Sequence, residues 1–159
     1  VAEWRSDRDV QIARSLTAPD QILERLYLGS AASARSKYYM KSIGITHVLT
    51  VARGLPPVHP IHFKYHVVDI EDVEEENLSE HFAACHKFMD EAMESGGVLV
   101  HCRAGVSRSA SVVISYVMKR HKMTADEALQ FVKQKRNQIC PNSAFFQQLQ
   151  AFEKSVNML

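Results

Sequence analysis

Ten residues, His101-Cys-Arg-Ala-Gly-Val-Ser-Arg-Ser-Ala110, bring a nucleophilic thiol, a guanidinium and a glycine into one short turn. Five residues separate Cys102 from Arg108, which lets the loop curl until the thiol points up from its floor and the guanidinium folds over its rim. A free cysteine titrates near ~8.5, but beside a helix N-terminus and an arginine it falls by several units and is a thiolate at neutral pH. That thiolate can attack phosphorus. Arg108 offers a planar fork able to hold two phosphoryl oxygens and to offset the charge spread over them during transfer, a geometry lysine lacks. Ser109 can donate a hydrogen bond to the sulfur and so make Cys102 a better leaving group, and Gly105 gives the tight curl its backbone freedom. The anion would be wrapped by Arg103, Ala104, Gly105, Val106, Ser107 and Arg108. For His101 two readings stand: a core histidine holding the loop by a hydrogen bond, or one that tunes the thiol.

Such a loop needs a strand before it and a helix behind it. Gly97-Val-Leu-Val-His101 is a short apolar run of the buried-strand kind, and Ala110, Val113, Ile114, Val117 and Met118 recur at helical spacing. Backbone N–H groups at a strand-to-helix turn are unpaired and converge on its concave side, where the helix dipole adds positive charge. A dianionic phosphate fits that setting.

Upstream, residues 1–20 read as a charged arm or helix with Trp4, Val10, Ile12 and Leu16 as its apolar points, ahead of a domain over 21–159. Ile22–Gly29 reads as one edge strand, Ala31–Ser42 as one helix stopped near Gly44, and Ile45–Ala52 as a buried strand rich in β-branched residues. After a loop held open by Pro56, Pro57 and Pro60, Phe63–Ile70 reads as a strand with Phe63, Tyr65 and Val67 on one face. A helix starting around Asn77–Ser79 and ending by Gly96 carries the stripe Leu78, Phe82, Cys85, Met89 and Ala92, which makes Cys85 a core residue. Thr124-Ala-Asp-Glu127 is a capping box, and Asn142 or Ser143 caps a last helix with Phe145, Leu149, Phe152 and Val156 inward.

At 159 residues the chain suits one domain that buries its own core without metal or disulfide staples. The net charge of +1 sets up no global field toward nucleic acid or membrane, and no apolar run approaches the ~20 residues that span a bilayer. Three cysteines, an odd number at no metal spacing, favour a reducing compartment, cytoplasmic or nuclear. His59, His62 and His66 have helical ligand spacing, but the prolines forbid a helix there and the rings should diverge, so no metal site is expected. Glu71-Asp-Val-Glu-Glu-Glu76 reads as a solvated loop with helix N-terminal charges. Expelling an alkoxide from phosphorus also needs an acid, and a carboxyl crowded by like charges holds its proton more tightly. The run itself does not say which carboxyl.

The string His-Cys-x-Ala-Gly-Val-Ser-Arg-Ser resembles the signature loop of the dual-specificity protein phosphatases, within the cysteine-dependent protein tyrosine phosphatase superfamily. Tyr116-Val-Met-Lys119 and Phe146-x-Gln-Leu149 match family patterns more weakly, and the resemblance runs from about Ile22 to Lys154. It implies a three-layer α/β fold, a central sheet of four to five mostly parallel strands flanked by helices. It implies a metal-free two-step reaction with no cofactor, in which Cys102 is the nucleophile. The family's general acid stands five residues before an Asn-Leu-Ser helix start, which here points to Asp72, with Asp69 and Glu71 as rivals. Cys140-Pro-Asn142 is similar to a family turn whose Asn142 braces the phosphate loop; the cysteine there leaves open a second thiol near Cys102 and redox shut-off. The implied substrate is a phosphorylated protein, a mitogen-activated protein kinase among the candidates, although the chain resembles the compact, atypical kind. An inositol-lipid phosphatase with one added positive charge at Arg103, and a phosphoprotein-binding pseudophosphatase, are the other readings.

Overall fold

The structure is a computed structural model and describes residues 17–157; the expected N-terminal arm lies, up to residue 16, outside the described residues. A five-stranded sheet forms its centre, built from β1 (Asp20–Leu23), β2 (Leu26–Gly29), β3 (Ile45–Val51), β4 (Lys64–Val68) and β5 (Gly97–His101) in the order β1-β2-β5-β3-β4. All neighbours pair in parallel except β1 with β2. Two short helices, α1 (Ala31–Arg35) and α2 (Lys37–Ser42), cover one face. The other face carries α3 (Phe82–Ser95), α4 (Arg108–His121), α5 (Ala125–Lys135) and α6 (Ser143–Asn157). The expected three-layer arrangement is therefore present.

Alternation along the strands decides what each layer buries. In β5, Val98 and Val100 point into the large core under α3 to α6, whereas Leu99 enters the smaller core with Met40, Val48 and Phe63. With both faces covered, β5 is buried along its whole length, which is why it reads as a continuous apolar run. The helix α4 behind it is buried from Arg108 to Met118, including Ser111 and Ser115, whose hydroxyls donate to the carbonyls of Ser107, just ahead of the helix, and Val112.

Four local expectations change. The single edge strand at Ile22–Gly29 is instead a hairpin, β1 and β2 joined through Glu24 and Arg25, with Arg25 at φ 67. No glycine or asparagine marks that left-handed residue, so the sequence runs through it unpunctuated. The single helix over Ala31–Ser42 breaks at Ser36, whose ψ of 82 is not helical. The strand expected over Phe63–Ile70 shortens to β4, and Val67 is exposed on this edge of the sheet while Phe63 is buried. The helix expected from Asn77 begins as a 3-10 turn over Ser79–His81, with the Asn77 side chain accepting from the Ser79 hydroxyl and the Glu80 N–H.

One buried group ties this core to pH. His86 sits between α3 and α4, shares a hydrogen bond with Ser115 Oγ (2.8 Å) and stacks on Phe82. Burial, with the Lys119 ammonium adding to it, pulls its pKa down to about 4. The unfolded chain binds a proton at His86 below the usual 6.5 and the folded chain resists it, so this stability is complete above about 6.5 and drains away as pH falls toward 4. Urea unfolding should show the chain losing of order 2 kcal/mol between pH 7 and pH 4.5 through this group, and His86→Gln should show a smaller loss over that interval.

Candidate active site

The loop between β5 and α4 is held from outside by its carbonyls. That of Cys102 accepts from His101 Nδ1 (3.0 Å), that of Arg103 from the Ala31 N–H (2.9 Å), and those of Ala104 and Gly105 from the Arg136 guanidinium (3.1 and 3.0 Å). Val106 accepts from the Cys140 N–H (2.7 Å) and Ser107 from Ser111. A planar trans peptide points its C=O and the next N–H in opposite directions, so six carbonyls drawn outward turn the amide hydrogens inward. Gly105 can take this path because its φ is 68 and it has no Cβ; a methyl group would stand 2.4 Å from the Gly29 carbonyl.

Inside the cradle lies the Cys102 sulfur. Burial pushes its thiol up, but hydrogen bonds from the Ser109 hydroxyl (3.1 Å) and from the backbone N–H groups of Ser109, Gly105 and Val106 outweigh that and hold it below the ordinary value. Cys85 is the natural control. It is buried as deeply, has no such donors, and is pushed up to about 12 by burial alone. Burial makes an inert thiol; the inward amides make a reactive one. Ser109→Ala should therefore move the acid limb of a kcat/KM–pH profile to higher pH, because the thiolate loses a donor.

Arg108 opens α4 and is 8% exposed. Its Nη1 donates to the Ile70 carbonyl (3.0 Å), while its Nε is buried without a hydrogen-bond partner. A buried guanidinium N–H left unpaired beside inward amides suits an oxyanion. Behind the cradle, His101 donates from Nδ1 to Cys102 O and pairs with Thr50 Oγ1 through Nε2 (2.8 Å). Burial lowers its pKa, so the ring is neutral and holds the loop by hydrogen bonds.

The acidic run separates into two groups. Arg53 takes Asp69 (3.3 Å), Glu71 (3.5 Å) and Glu76 (3.6 Å), which removes both rivals from the cradle. Asp72 faces the other way: its Oδ1 accepts from Ser107 Oγ (2.7 Å) and from Asn142 Nδ2 (2.9 Å). Ser107 Oγ itself accepts from the Asn142 N–H (2.9 Å), which fixes its hydrogen toward Asp72. Both of these side-chain donors meet the same oxygen, Oδ1. Asn142 also caps α6 by accepting from Phe145 N–H, so the brace expected at this turn reaches Asp72 as well as the loop.

Two residues escaped the reading of the sequence. Arg136, 6% exposed, clamps the phosphate loop by two carbonyls and ties it to Asp20 (2.9 Å), yet it stands among lysines at the end of α5 with nothing to single it out. Gln148 accepts from the N–H groups of Leu78 and Ser79 and donates to the Glu76 carbonyl, anchoring the far end of the acidic loop. Its pattern with Phe146 and Leu149 was visible; its task was not. The three histidines diverge: His59 donates to the Arg35 carbonyl, His62 lies by Lys41 and His66 against Phe88.

Comparison with known proteins gives this geometry a context. The family described as "Dual specificity phosphatase, catalytic domain" matches residues 26–155. "Dual specificity protein phosphatase 1" of Arabidopsis thaliana is 47% identical over 155 residues, 95% of this chain and 78% of that one. "MAP kinase phosphatase with leucine-rich repeats protein 2" of Dictyostelium discoideum is 44% identical over 87% of this chain, which spans 20% of that longer protein. Among solved structures, human tyrosine phosphatase-like serine/threonine/tyrosine-interacting protein superposes with a TM-score of 0.84 at 33% identity, over 89% of this chain and 98% of that one. A thiol lowered inside a ring of inward amides, and these likenesses along nearly the whole length, place the chain in the dual specificity phosphatase family.

Proposed function

We propose that the chain hydrolyses phosphotyrosine and phosphoserine or phosphothreonine in proteins through a phosphocysteine intermediate, without a metal. The observation that carries this reading is the Cys102 sulfur, which lies 3.1 Å from the Ser109 hydroxyl and within the inward amides of its loop, donors that hold the thiol below its ordinary value in spite of burial. Its sulfur attacks phosphorus in line, the P–O bond to the substrate breaks, and the proton on Asp72 passes to the departing oxygen. Water then gives a proton to the Asp72 carboxylate as its oxygen bonds to phosphorus; the P–S bond breaks, Ser109 stabilises the returning thiolate, and inorganic phosphate leaves. Arg108 and the inward amides hold the equatorial oxygens in both steps.

The relative from Dictyostelium is named for kinase substrates, which supports phosphoproteins, mitogen-activated protein kinases among them, as the class acted on here. The likeness to a phosphatase-like interacting protein is one of fold, and the activated sulfur favours turnover over mere binding. Three unpaired cysteines suit a reducing compartment, cytoplasm or nucleus.

Leaving-group dependence tests the acid. Asp72→Asn keeps the hydrogen bonds at Oδ1 and removes the proton, so an aryl phosphate, whose phenolate leaves readily, should lose about tenfold in kcat. A phosphoserine peptide should lose about 10³-fold. Equal losses on both substrates would remove Asp72 from this role.

A further inference from the structure

Next to the phosphate loop lies a second cavity of about 320 Å³; two of its walls, Ala31 and His101, brace that loop, and the two-step chemistry assigns its remaining walls no part. Its floor is the Thr50–His101 pair, and its sides are Ala34 of α1, Tyr65 of β4, and Leu55 and Pro56 of the loop between β3 and β4. Two hydrogen bonds pin that loop over the space: His59 N–H donates to the Tyr65 hydroxyl (3.1 Å), and His59 Nε2 donates to the Arg35 carbonyl (2.8 Å). The cavity is thus preformed, and the prolines around residue 57 cost little to hold in place.

It is also continuous with the phosphate site. Arg103, inside the phosphate loop, is bound through its carbonyl to the Ala31 N–H, and its guanidinium lies 3.6 Å from where a Cβ on Gly54 would project; Ala31 and Gly54 both line the cavity. One polypeptide can therefore fill both sites. Two exposed guanidinium groups, Arg35 and Arg103, stand at the rim and match carboxylates.

We propose that this cavity is a specificity subsite of the phosphatase reading above, and that it takes an apolar side chain of the phosphorylated polypeptide from a position close to the phosphoresidue. An acidic neighbour of that residue pairs with Arg35 and Arg103 at the rim. Burying one leucine-sized side chain in such a place yields roughly tenfold or more in kcat/KM.

The test compares phosphotyrosine peptides that differ at single flanking positions, leucine against glycine, with an aryl phosphate too short to reach the cavity as control. The parent should prefer leucine at one flanking position by about tenfold. Val58→Trp, at an exposed wall residue, should erase that preference and leave the aryl phosphate within about twofold; Arg35→Glu should weaken selection of an acidic neighbour. Absence of any apolar preference in the parent, or its survival in Val58→Trp, overturns the subsite. Failure of the parent on the aryl phosphate and on every peptide overturns the phosphatase reading, and the subsite falls with it.

Discussion

Cys102→Ser should remove aryl phosphate turnover by at least about 10⁴-fold while the protein remains folded and still binds phosphate. Oxygen replaces sulfur at the same point of the loop, but a serine hydroxyl keeps its proton at neutral pH, and the donors that lower the thiol cannot bring an alcohol into range. The Ser109 hydroxyl and the amides of Gly105, Val106 and Ser109 would still converge on the pocket, so inorganic phosphate should remain a ligand by calorimetry. Acid quenching during turnover should trap a phosphoryl group on Cys102 in the parent and none in the variant. Turnover near the parent's rate after this change would sink the nucleophile assignment.

Arg108→Lys should lower kcat/KM by about 10³-fold and weaken competitive inhibition by inorganic phosphate at least tenfold. Charge is conserved in this substitution, so a large loss reports geometry. The guanidinium spends Nη1 on the Ile70 carbonyl and keeps a buried, unpartnered Nε. Lysine has one nitrogen for both duties: bonded to Ile70 it abandons the phosphoryl oxygens, and turned to phosphate it leaves a buried carbonyl bare. A fall of less than about tenfold would show that the amides alone hold the anion.

How much of this was legible in the sequence follows from how local each signal is. The phosphate loop was readable because strand, turn and helix are contiguous, and because the whole string from His101 to Ser109 is specific where a thiol six positions before an arginine is not. The stripe from Leu78 to Ala92 was readable from its period, and all five of its residues are buried. The hairpin at Glu24–Arg25 was missed because its left-handed residue is an arginine, a type that takes that conformation only when the pairing of β1 with β2 enforces it. Asp72 could be preferred only through resemblance; what separates it from Asp69 and Glu71 is Arg53, a residue on the far side of a proline-rich loop. Arg136 was beyond reach for the same reason, since its partners lie about thirty and more than a hundred residues upstream.

Arg136 also fixes when the enzyme can exist. The phosphate loop is complete in covalent terms once Ser109 has been synthesised, but two of its carbonyls wait for a guanidinium 31 and 32 residues later, which is itself steadied by Asp20, 116 residues before it. A nascent chain emerging from the ribosome therefore carries its cysteine and arginine well before they are held in register. The cradle closes only when the first hairpin and the fifth helix have met, so the loop that surrounds Cys102 is finished by contacts of long sequence separation, the kind whose chain-closure cost must be met before they form.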